Sequence, residues 1–249
     1  MTLWPDLKLF YYEQLNAKTT IFGLGEVESH HAIHVVRLKK GDEITVTNGK
    51  GLMARCKITS SEKKTIGLTI LETFQAEQDK NKIHLAISPV KKREKIEWLI
   101  EKATEIGVNE ISFFLSAHSE RMVINYERLE KIIIPAVKQS LNPYKPIIHP
   151  LQNFEKLLIN NAQIQDKFIA DCKTESEHHL VNYLQHPADT IILIGPEGGF
   201  TEGEIQFARQ QNYIPVSLGT TRLRSETAAV YASSVIKAFQ FKILQNNQY

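Results

Sequence analysis

Residues 190–229 constrain the fold most, because two short apolar runs there each end in a loop of small and polar residues. The run Thr190–Ile194 leads into GPEGGF, and the run at 215–218 leads into GTTRLRSETAA. A helical pattern follows each loop. In an open α/β sheet, ligands bind where loops leave the carboxyl ends of strands, and glycine lets the backbone approach a ligand closely. The two loops are therefore predicted to lie side by side and to form a ligand site.

Common nucleotide-binding motifs do not explain these loops. GPEGGF lacks the GxGxxG spacing of a dinucleotide fingerprint, and no Gly-Lys-Ser or Gly-Lys-Thr follows it as in a P-loop. A single glycine-rich turn before a helix also occurs for structural reasons alone. The prediction of a site therefore depends on the two loops together.

The composition bounds the class of protein. The 249 residues are 42% hydrophobic, and the 30 Lys and Arg against 28 Asp and Glu give a net charge of +2, so a general basic coat is excluded but a local basic patch is not. Cys56 and Cys172 lack CxxC spacing, which argues against a zinc site or a disulfide framework. No apolar run is long enough to span a bilayer, and the N-terminus lacks signal-peptide architecture. We expect a cytoplasmic protein with no metal and no membrane partner.

The chain is predicted to contain two domains. Residues 1–74 carry short strand patterns, a hairpin signal at Asn48-Gly49 and a short helix at 29–36 with Ser29 as N-cap, which together suggest a small β-barrel. The polar residues 75–82 are expected to be a linker. In residues 83–249, strands alternate with helices, which predicts a parallel sheet with helices on both faces.

Several elements of the second domain have clear sequence signals. Gly107 is expected to end the helix over 93–106, and Pro135 is expected to kink the helix over 126–141. Thr201 and Glu204 are spaced as a capping box for the helix after GPEGGF. Further strands are predicted at 83–90, 110–115 and 167–172, and a final helix at 226–244.

The pair GPEGGF and LGTTRLRSETA resembles the SPOUT methyltransferases, and more narrowly the family that methylates N3 of a uridine in 16S ribosomal RNA, the (uracil-N3)-methyltransferases. The resemblance covers nearly the whole chain, since residues 30–44 are similar to that family's PUA-like RNA-binding domain and residues 101–107 match its EKATEIG segment. It implies a C-terminal α/β domain with a deep trefoil knot, a bent S-adenosylmethionine held mainly by backbone groups, and a homodimer with the last helix near its interface.

The resemblance also implies which residues hold the cofactor. They come from both loops and are Ile194, Gly195, Pro196, Glu197, Gly198, Gly199, Leu218, Gly219, Leu223, Arg224, Ser225, Glu226, Thr227 and Ala228. The competing interpretation of the second loop is structural, with Ser225 as the N-cap of the last helix and Glu226 in its first turn. That interpretation leaves Arg222 and Arg224 unexplained, because cations oppose a helix N-terminus. The family pattern has an apolar residue at the place of Arg222.

The chemistry of uracil N3 assigns two catalytic candidates. Once N3 loses its proton, negative charge spreads onto the flanking carbonyl oxygens, and a fixed guanidinium would stabilise that charge more than it stabilises the neutral base. Arg224 is therefore predicted to be the electrostatic stabiliser. Glu197 could offset the sulfonium charge or hold an amide of the neighbouring loop, and Glu197, Glu226 and water remain candidates for the general base.

Cationic and polar residues elsewhere are candidates for RNA contact, since Lys and Arg that neutralise phosphates supply sequence-independent affinity. Lys91, Lys92 and Arg93 stand at a helix start, where they oppose the macrodipole unless an anion is present. The RNA-binding candidates are Arg37, Lys91, Lys92, Arg93, Arg121, Gln139 and Ser140. The alternative for each is an ordinary solvated surface or helix end. Lys138 and Asn142 depart from the family pattern.

Taken together, the sequence predicts a methyltransferase for uridine N3 of 16S ribosomal RNA in the small ribosomal subunit. One alternative is a SPOUT enzyme for another RNA base or a ribose 2′-oxygen. A second is a non-enzymatic RNA-binding protein of ribosome assembly. A dinucleotide oxidoreductase is a distant third, because the fingerprint is missing.

Overall fold

The computed structural model describes residues 8–61, 65–120 and 123–246, and the chain forms two compact units. The first unit comprises Met1–Gln78 with Ile134–Lys145, and the second comprises Asp79–Ile133 with Pro146–Tyr249. The division between residues 78 and 79 falls inside the polar segment 75–82. The segment Ile134–Lys145, which the sequence assigns to the second domain, clusters with the first unit.

The first unit is built on a five-stranded sheet. Its strands are β1 Leu9–Tyr11, β2 Ile21–Gly23, β3 Glu43–Thr47, β4 Leu52–Ser61 and β5 Ile66–Gln75, in the order β1-β3-β4-β5-β2. The predicted hairpin joins β3 to β4, and its glycines Gly49 and Gly51 have φ of 71° and 90°, where side chains are disfavoured. No pairing between the two end strands closes this sheet into the predicted barrel within the described residues.

The helix predicted at 29–36 begins earlier and has a different cap. Helix α1 spans Glu26–His30 with Gly25 at its N-cap, and a π-helical turn, His31–Val35, continues it. Ser29 is buried inside the helix, where its hydroxyl donates to the Leu24 carbonyl at 3.0 Å and accepts from the Ile66 amide at 3.1 Å. The prediction of Ser29 as N-cap was wrong because this hydroxyl links the helix to β5 instead.

The second unit contains a six-stranded sheet in which every pairing is parallel, as predicted. Strand β10 is buried throughout and pairs with both β6 and β9. The order is β11-β9-β10-β6-β7-β8. The strands are β6 Ile83–Ile87, β7 Glu110–Leu115, β8 Ile147–Asn153, β9 Asp166–Ala170, β10 Thr190–Ile194 and β11 Ile214–Val216. The loops that leave β9, β10 and β11 therefore emerge at one edge of the sheet.

Helices cover both faces of this sheet. They are α2 Arg93–Ile106, α4 Phe154–Asn160, α5 Glu202–Gln210 and α6 Ser225–Asn246, whereas α3 Tyr126–Ser140 is divided between the two units. Helices α4 and α5 share an apolar cluster with alternate residues of the strands, including Ile191 and Leu193, whereas α6 packs on β6 and β10 and against α2. Two short 3-10 turns, Ser176–His178 and Leu180–Tyr183, follow β9, and α3 continues through Pro135.

The helix ends confirm two sequence predictions and correct one. Gly107 ends α2 in the left-handed conformation with φ of 86°. The Thr201 hydroxyl accepts from the Glu204 amide at 3.2 Å, while the Glu204 carboxylate accepts from the Thr201 amide at 2.8 Å, which completes the capping box. Ser225 is not an N-cap, since α6 begins at Ser225 itself and its hydroxyl donates elsewhere.

The sequence did not predict two secondary-structure elements of the second unit. Strand β8 is an edge strand that contains Pro150 and is mostly exposed or half-buried, so it lacks the apolar pattern of the central strands. Helix α4 is only seven residues long, too short for a clear helical period. Among the described residues, no helix combines the length and apolar character that a bilayer-crossing segment requires.

Candidate functional site

The two loops predicted to adjoin do so at the carboxyl edge of the parallel sheet. They line one cavity of about 480 Å³, within the size range of small-molecule sites. The Ser225 hydroxyl, at the start of α6, donates to the Gly195 carbonyl at 2.9 Å and so fastens the arginine-bearing loop, residues 217–224, to the glycine loop, residues 195–200. This bond is buried. The site is therefore a feature of the fold rather than of either loop alone.

Most of the predicted cofactor residues line the cavity. Those that do are Ile194, Gly195, Pro196, Glu197, Gly199, Leu218, Gly219, Leu223, Arg224, Ser225 and Ala228. Gly198, Glu226 and Thr227 do not. The walls thus combine backbone groups and small apolar side chains with one exposed carboxylate and two exposed guanidinium groups, those of Arg222 and Arg224.

Gly219 and Gly199 require glycine for a physical reason. Gly219 has φ of 127° and Gly199 has φ of 71°, and a Cβ at either position would meet no atom within 4 Å. A side chain at either position is disfavoured by the backbone conformation rather than by crowding. At these two residues, no side chain covers the backbone that lines the cavity.

Gly198 lies beside the loop that follows β7 and is not among the residues that line the cavity. A Cβ there would lie 3.1 Å from the Cβ of His118, so this glycine faces the loop after β7 and not the cavity. The same loop contacts the glycine loop, since His118 Nδ1 lies 3.1 Å from the Gly199 carbonyl oxygen, and it contacts α5, since the Ala117 amide donates to Glu204 at 2.7 Å. The sequence did not predict His118 as part of the site, because the residues around position 118 do not indicate that the loop after β7 contacts the loop after β10.

Glu226 is held in an ion pair and is not free to act as a base. Its side chain is 10% exposed, and Oε1 is 2.8 Å from Nζ of Lys95 on α2. Burial acts to raise the pKa of this carboxyl, but the hydrogen bond from Lys95, with the charges of Lys95 and Arg224, outweighs burial and holds the pKa below its usual value. Of the general-base candidates that the sequence suggested, two remain. They are Glu197, which is exposed at the cavity, and water.

A third loop, which follows β9, completes the cavity. Ala170, Asp171 and Cys172 line it, and Arg222 Nη2 lies 3.8 Å from Cys172 Sγ. Ser217, Thr220 and Thr221 also line it. The sequence predicted a strand over residues 167–172. It did not indicate that this strand lies between β10 and β11 in the sheet. Only the strand order places its carboxyl end at the site.

The predicted RNA-binding residues fall in both units. Lys91, Lys92 and Arg93 are exposed at the start of α2 in the second unit, with Lys91 Nζ 3.1 Å from Glu120. In the first unit, Arg37 is exposed with φ of 61°, and Gln139 is exposed. Arg121 lies outside the described residues.

Three polar residues of the segment 134–145 have structural partners within the first unit. The Ser140 hydroxyl donates to the Ala136 carbonyl at 2.7 Å, and the Asn142 side chain accepts from the Tyr144 amide at 3.0 Å. Lys138 pairs with Glu28 at 2.6 Å, with side chains only 15% and 11% exposed. Lys138 and Asn142, which depart from the family pattern, thus both have hydrogen-bond partners within the first unit.

Known proteins resemble the chain along nearly its full length. The profile of an RNA methyltransferase domain matches residues 77–237, and that of an RNA methyltransferase PUA domain matches residues 24–71. The ribosomal RNA small subunit methyltransferase E of Bacillus subtilis (strain 168) is 30% identical over 250 residues, which cover 95% of this chain and 96% of that protein.

Solved structures agree with this assignment. A probable rRNA-methyltransferase from Porphyromonas gingivalis has a TM-score of 0.88 at 33% identity, and the match covers 95% of this chain and all of that one. The putative methyltransferase Lpg2936 from Legionella pneumophila, solved with the bound cofactor SAM, has a TM-score of 0.82 at 25% identity over 94% and 98% of the two chains. The chain therefore belongs to the ribosomal RNA small subunit methyltransferase E family of RNA methyltransferases.

Proposed function

We propose that this protein transfers a methyl group from S-adenosylmethionine to N3 of a specific uridine in the 16S ribosomal RNA of the small ribosomal subunit. The observation that carries the proposal is the single cavity in which the glycine loop and the arginine-bearing loop are fastened by Ser225 and Gly195. Family membership supports the reaction class, and a relative with the same fold contains this cofactor.

The residues present fit such a cofactor. Glycine backbone at Gly199 and Gly219 leaves room for close approach, and the carboxylate of Glu197 offers a negative charge beside the cavity. When bound, the cofactor supplies an electrophilic methyl group. The protein mainly has to orient the two reactants, and well-oriented reactants can gain about 7–11 kcal/mol of barrier reduction.

Arg224 is proposed to stabilise the uracil as its N3 proton leaves. Its guanidinium is exposed at the cavity, and no buried carboxylate neutralises it directly, since Glu226 pairs with Lys95. A cation fixed there favours the anionic base over the neutral one and so lowers the barrier specifically. Glu197 or a water molecule would accept the proton.

The rest of the chain is proposed to hold RNA. The PUA domain carries the exposed Arg37, and the start of α2 carries the exposed Lys92 and Arg93, where phosphate would offset their repulsion by the helix dipole. We also propose a cytoplasmic location, which a ribosomal RNA substrate supports.

The deep knot and the homodimer belong to the same proposal. The knot is supported by the path of the chain, in which β10 inserts between β9 and β6 while its loop is tied to the start of α6. The dimer is supported by two exposed aromatic residues on α6, Tyr231 at 39% and Phe241 at 60% exposure. Light scattering should then give twice the chain mass of 28.4 kDa, and a mass equal to one chain would refute the dimer.

Two measurements test the function. Nucleoside mass spectrometry of 16S ribosomal RNA from a strain that lacks the gene should show loss of 3-methyluridine, and restoration when the gene is returned. Unchanged 3-methyluridine with loss of another methylated nucleoside would mean that the enzyme acts on a different base or on a ribose. Calorimetry with S-adenosylmethionine tests the enzyme class, because a protein that only binds RNA would give no cofactor heat.

A pair of arginine variants tests the catalytic assignment. Arg224→Ala should lower kcat far more than it raises the cofactor Kd, because its interaction forms mainly in the transition state. Arg209→Ala, an exposed arginine at the end of α5, is the matched control and should leave both unchanged. Equal losses in kcat and cofactor affinity for Arg224→Ala would assign this residue to binding instead.

A further inference from the structure

We propose that His84, Glu110 and His149 form a site for a divalent transition-metal ion of the zinc, cobalt or nickel class. The site lies at the opposite edge of the parallel sheet from the cavity. His84 is near the start of β6, Glu110 is the first residue of β7, and His149 is near the start of β8. The inference does not depend on the proposed methyl transfer.

Strand register brings the three side chains together. β6, β7 and β8 are neighbours, His84 is level with Glu110, and His149 is level with Ser112 two residues further along β7. One ligand atom from each of the three residues lies within 4.8 Å of the others. Such a set of two imidazoles and one carboxylate suits these metals.

The strongest sign of a missing partner is on His84. This residue is 4% exposed, and its Nε2 lies 2.8 Å from the Ser112 hydroxyl. Within the described residues its Nδ1 is buried without a hydrogen bond of ordinary geometry, although the Asn161 side chain interacts with His84. A buried polar atom without a partner is costly. Histidines that bind metals characteristically use one ring nitrogen for the ion and the other for a hydrogen bond that fixes the ring.

The other two residues offer accessible and charged ligand atoms. Glu110 Oε2 is 2.8 Å from His149 Nε2, while Oε1 faces Lys82 Nζ at 3.6 Å. His149 is one-third exposed, which leaves a route for the ion.

Binding requires one rearrangement that the chemistry allows. The ion would take the place of the hydrogen bond between Glu110 Oε2 and His149 Nε2, and His149 would carry its ring proton on Nδ1. Lys82 is half exposed and can turn away from the carboxylate. Three protein ligands would leave a further coordination position for water.

The test is calorimetric titration of chelator-treated protein with zinc chloride, without S-adenosylmethionine. We expect one saturable site per chain. His149→Gln should weaken zinc binding at least tenfold, as should Glu110→Gln. His186→Gln, a change to an exposed histidine far along the chain, is the control and should bind as the native protein does.

Thermal unfolding provides a second measurement that is independent of activity. Zinc should raise the Tm of the native protein and of His186→Gln but not that of His149→Gln. His149 is on an edge strand and partly exposed, so this variant is expected to fold. Absence of saturable zinc binding to the native protein, or equal binding by the two histidine variants, would overturn the proposal.

Discussion

The ion pair between Lys95 and Glu226 provides the sharpest test of how the site is held. It links α2 to the first turn of α6, directly after the loop that carries Arg224. Glu226 Oε1 accepts from Lys95, and no other described residue donates a hydrogen bond to Oε2, which is buried. Replacement of Lys95 by methionine therefore leaves a buried carboxylate without its hydrogen-bonded cation, and only the charge of the exposed Arg224 then offsets it.

The expected loss in the free energy of unfolding follows from the exposure of the two side chains, which is 22% for Lys95 and 10% for Glu226. Removal of one partner from a fully buried ion pair lowers the free energy of unfolding by about 3–5 kcal/mol. Because Lys95 is partly exposed, we expect a loss of about 2–3 kcal/mol for Lys95→Met. For a protein of this size, each kcal/mol shifts Tm by about 2–4 °C, so Lys95→Met should lower Tm by about 4–12 °C. The assay is thermal unfolding followed by circular dichroism at pH 7.5.

Glu226→Gln and the double variant complete a double-mutant cycle. Glu226→Gln should cost less than Lys95→Met, because the unpaired ammonium of Lys95 can reach water. The double variant should regain much of the stability lost in Lys95→Met. Glu226→Gln should also keep its turnover, since the carboxylate is committed to the ion pair.

The pH dependence has a definite sign. The pKa of Glu226 in the folded protein is held below its ordinary value of 4.5, so the contribution of the pair is complete above about pH 4.5 and is lost as pH falls through the folded pKa. The Tm difference between the native protein and Lys95→Met should therefore shrink at low pH. A difference under 1 °C at pH 7.5, or one that persists unchanged in acid, would refute the reasoning.

Three further predictions concern the loops and the RNA surface. Cys172 lines the cavity and should react with a maleimide, with labelling slowed about 100-fold at a cofactor concentration of 100 Kd, whereas Cys56 should stay unlabelled because burial raises its pKa to about 12. Ser225→Ala should weaken cofactor binding by about 1–3 kcal/mol in calorimetry, because the buried Gly195 carbonyl loses its donor. Replacement of both Lys92 and Arg93 by glutamine should reduce the salt slope of RNA affinity by about 2.

Each of these has a matched control. Cofactor that leaves the rate at Cys172 unchanged would place the ligand elsewhere, and Cys56 serves as the internal reference in the same protein. Ser234→Ala removes an exposed hydroxyl that bonds only to the Val230 carbonyl of its own helix, and equal effects of the two serine variants would contradict the proposed fastening of the loops. Lys156→Gln, on α4, should leave the salt slope unchanged, and an unaltered slope for Lys92 and Arg93 would leave them as ordinary surface.

Local chemistry in the sequence determined a good part of this molecule. The apolar run Thr190–Ile194 is β10 at the predicted bounds, and the Thr201–Glu204 box and the left-handed Gly107 appear where their residue types require them. These features depend on the backbone preferences and hydrogen bonds of neighbouring residues. The two ligand loops were predictable for the same reason, since each follows a strand signal with glycine or arginine.

Tertiary structure decided the rest, because strand order and packing join residues that are distant in the chain. Only the placement of β9 between β10 and β11 brings Cys172 to the cavity, and only the packing of α2 on α6 commits Glu226 to Lys95. The cluster of His84, Glu110 and His149 arises in the same way, from the register of three strands whose residues show no shared spacing in the sequence. The sequence alone specified which loops could bind a ligand. The fold determined which side chains of those loops are available to contact the ligand and which are held by other residues.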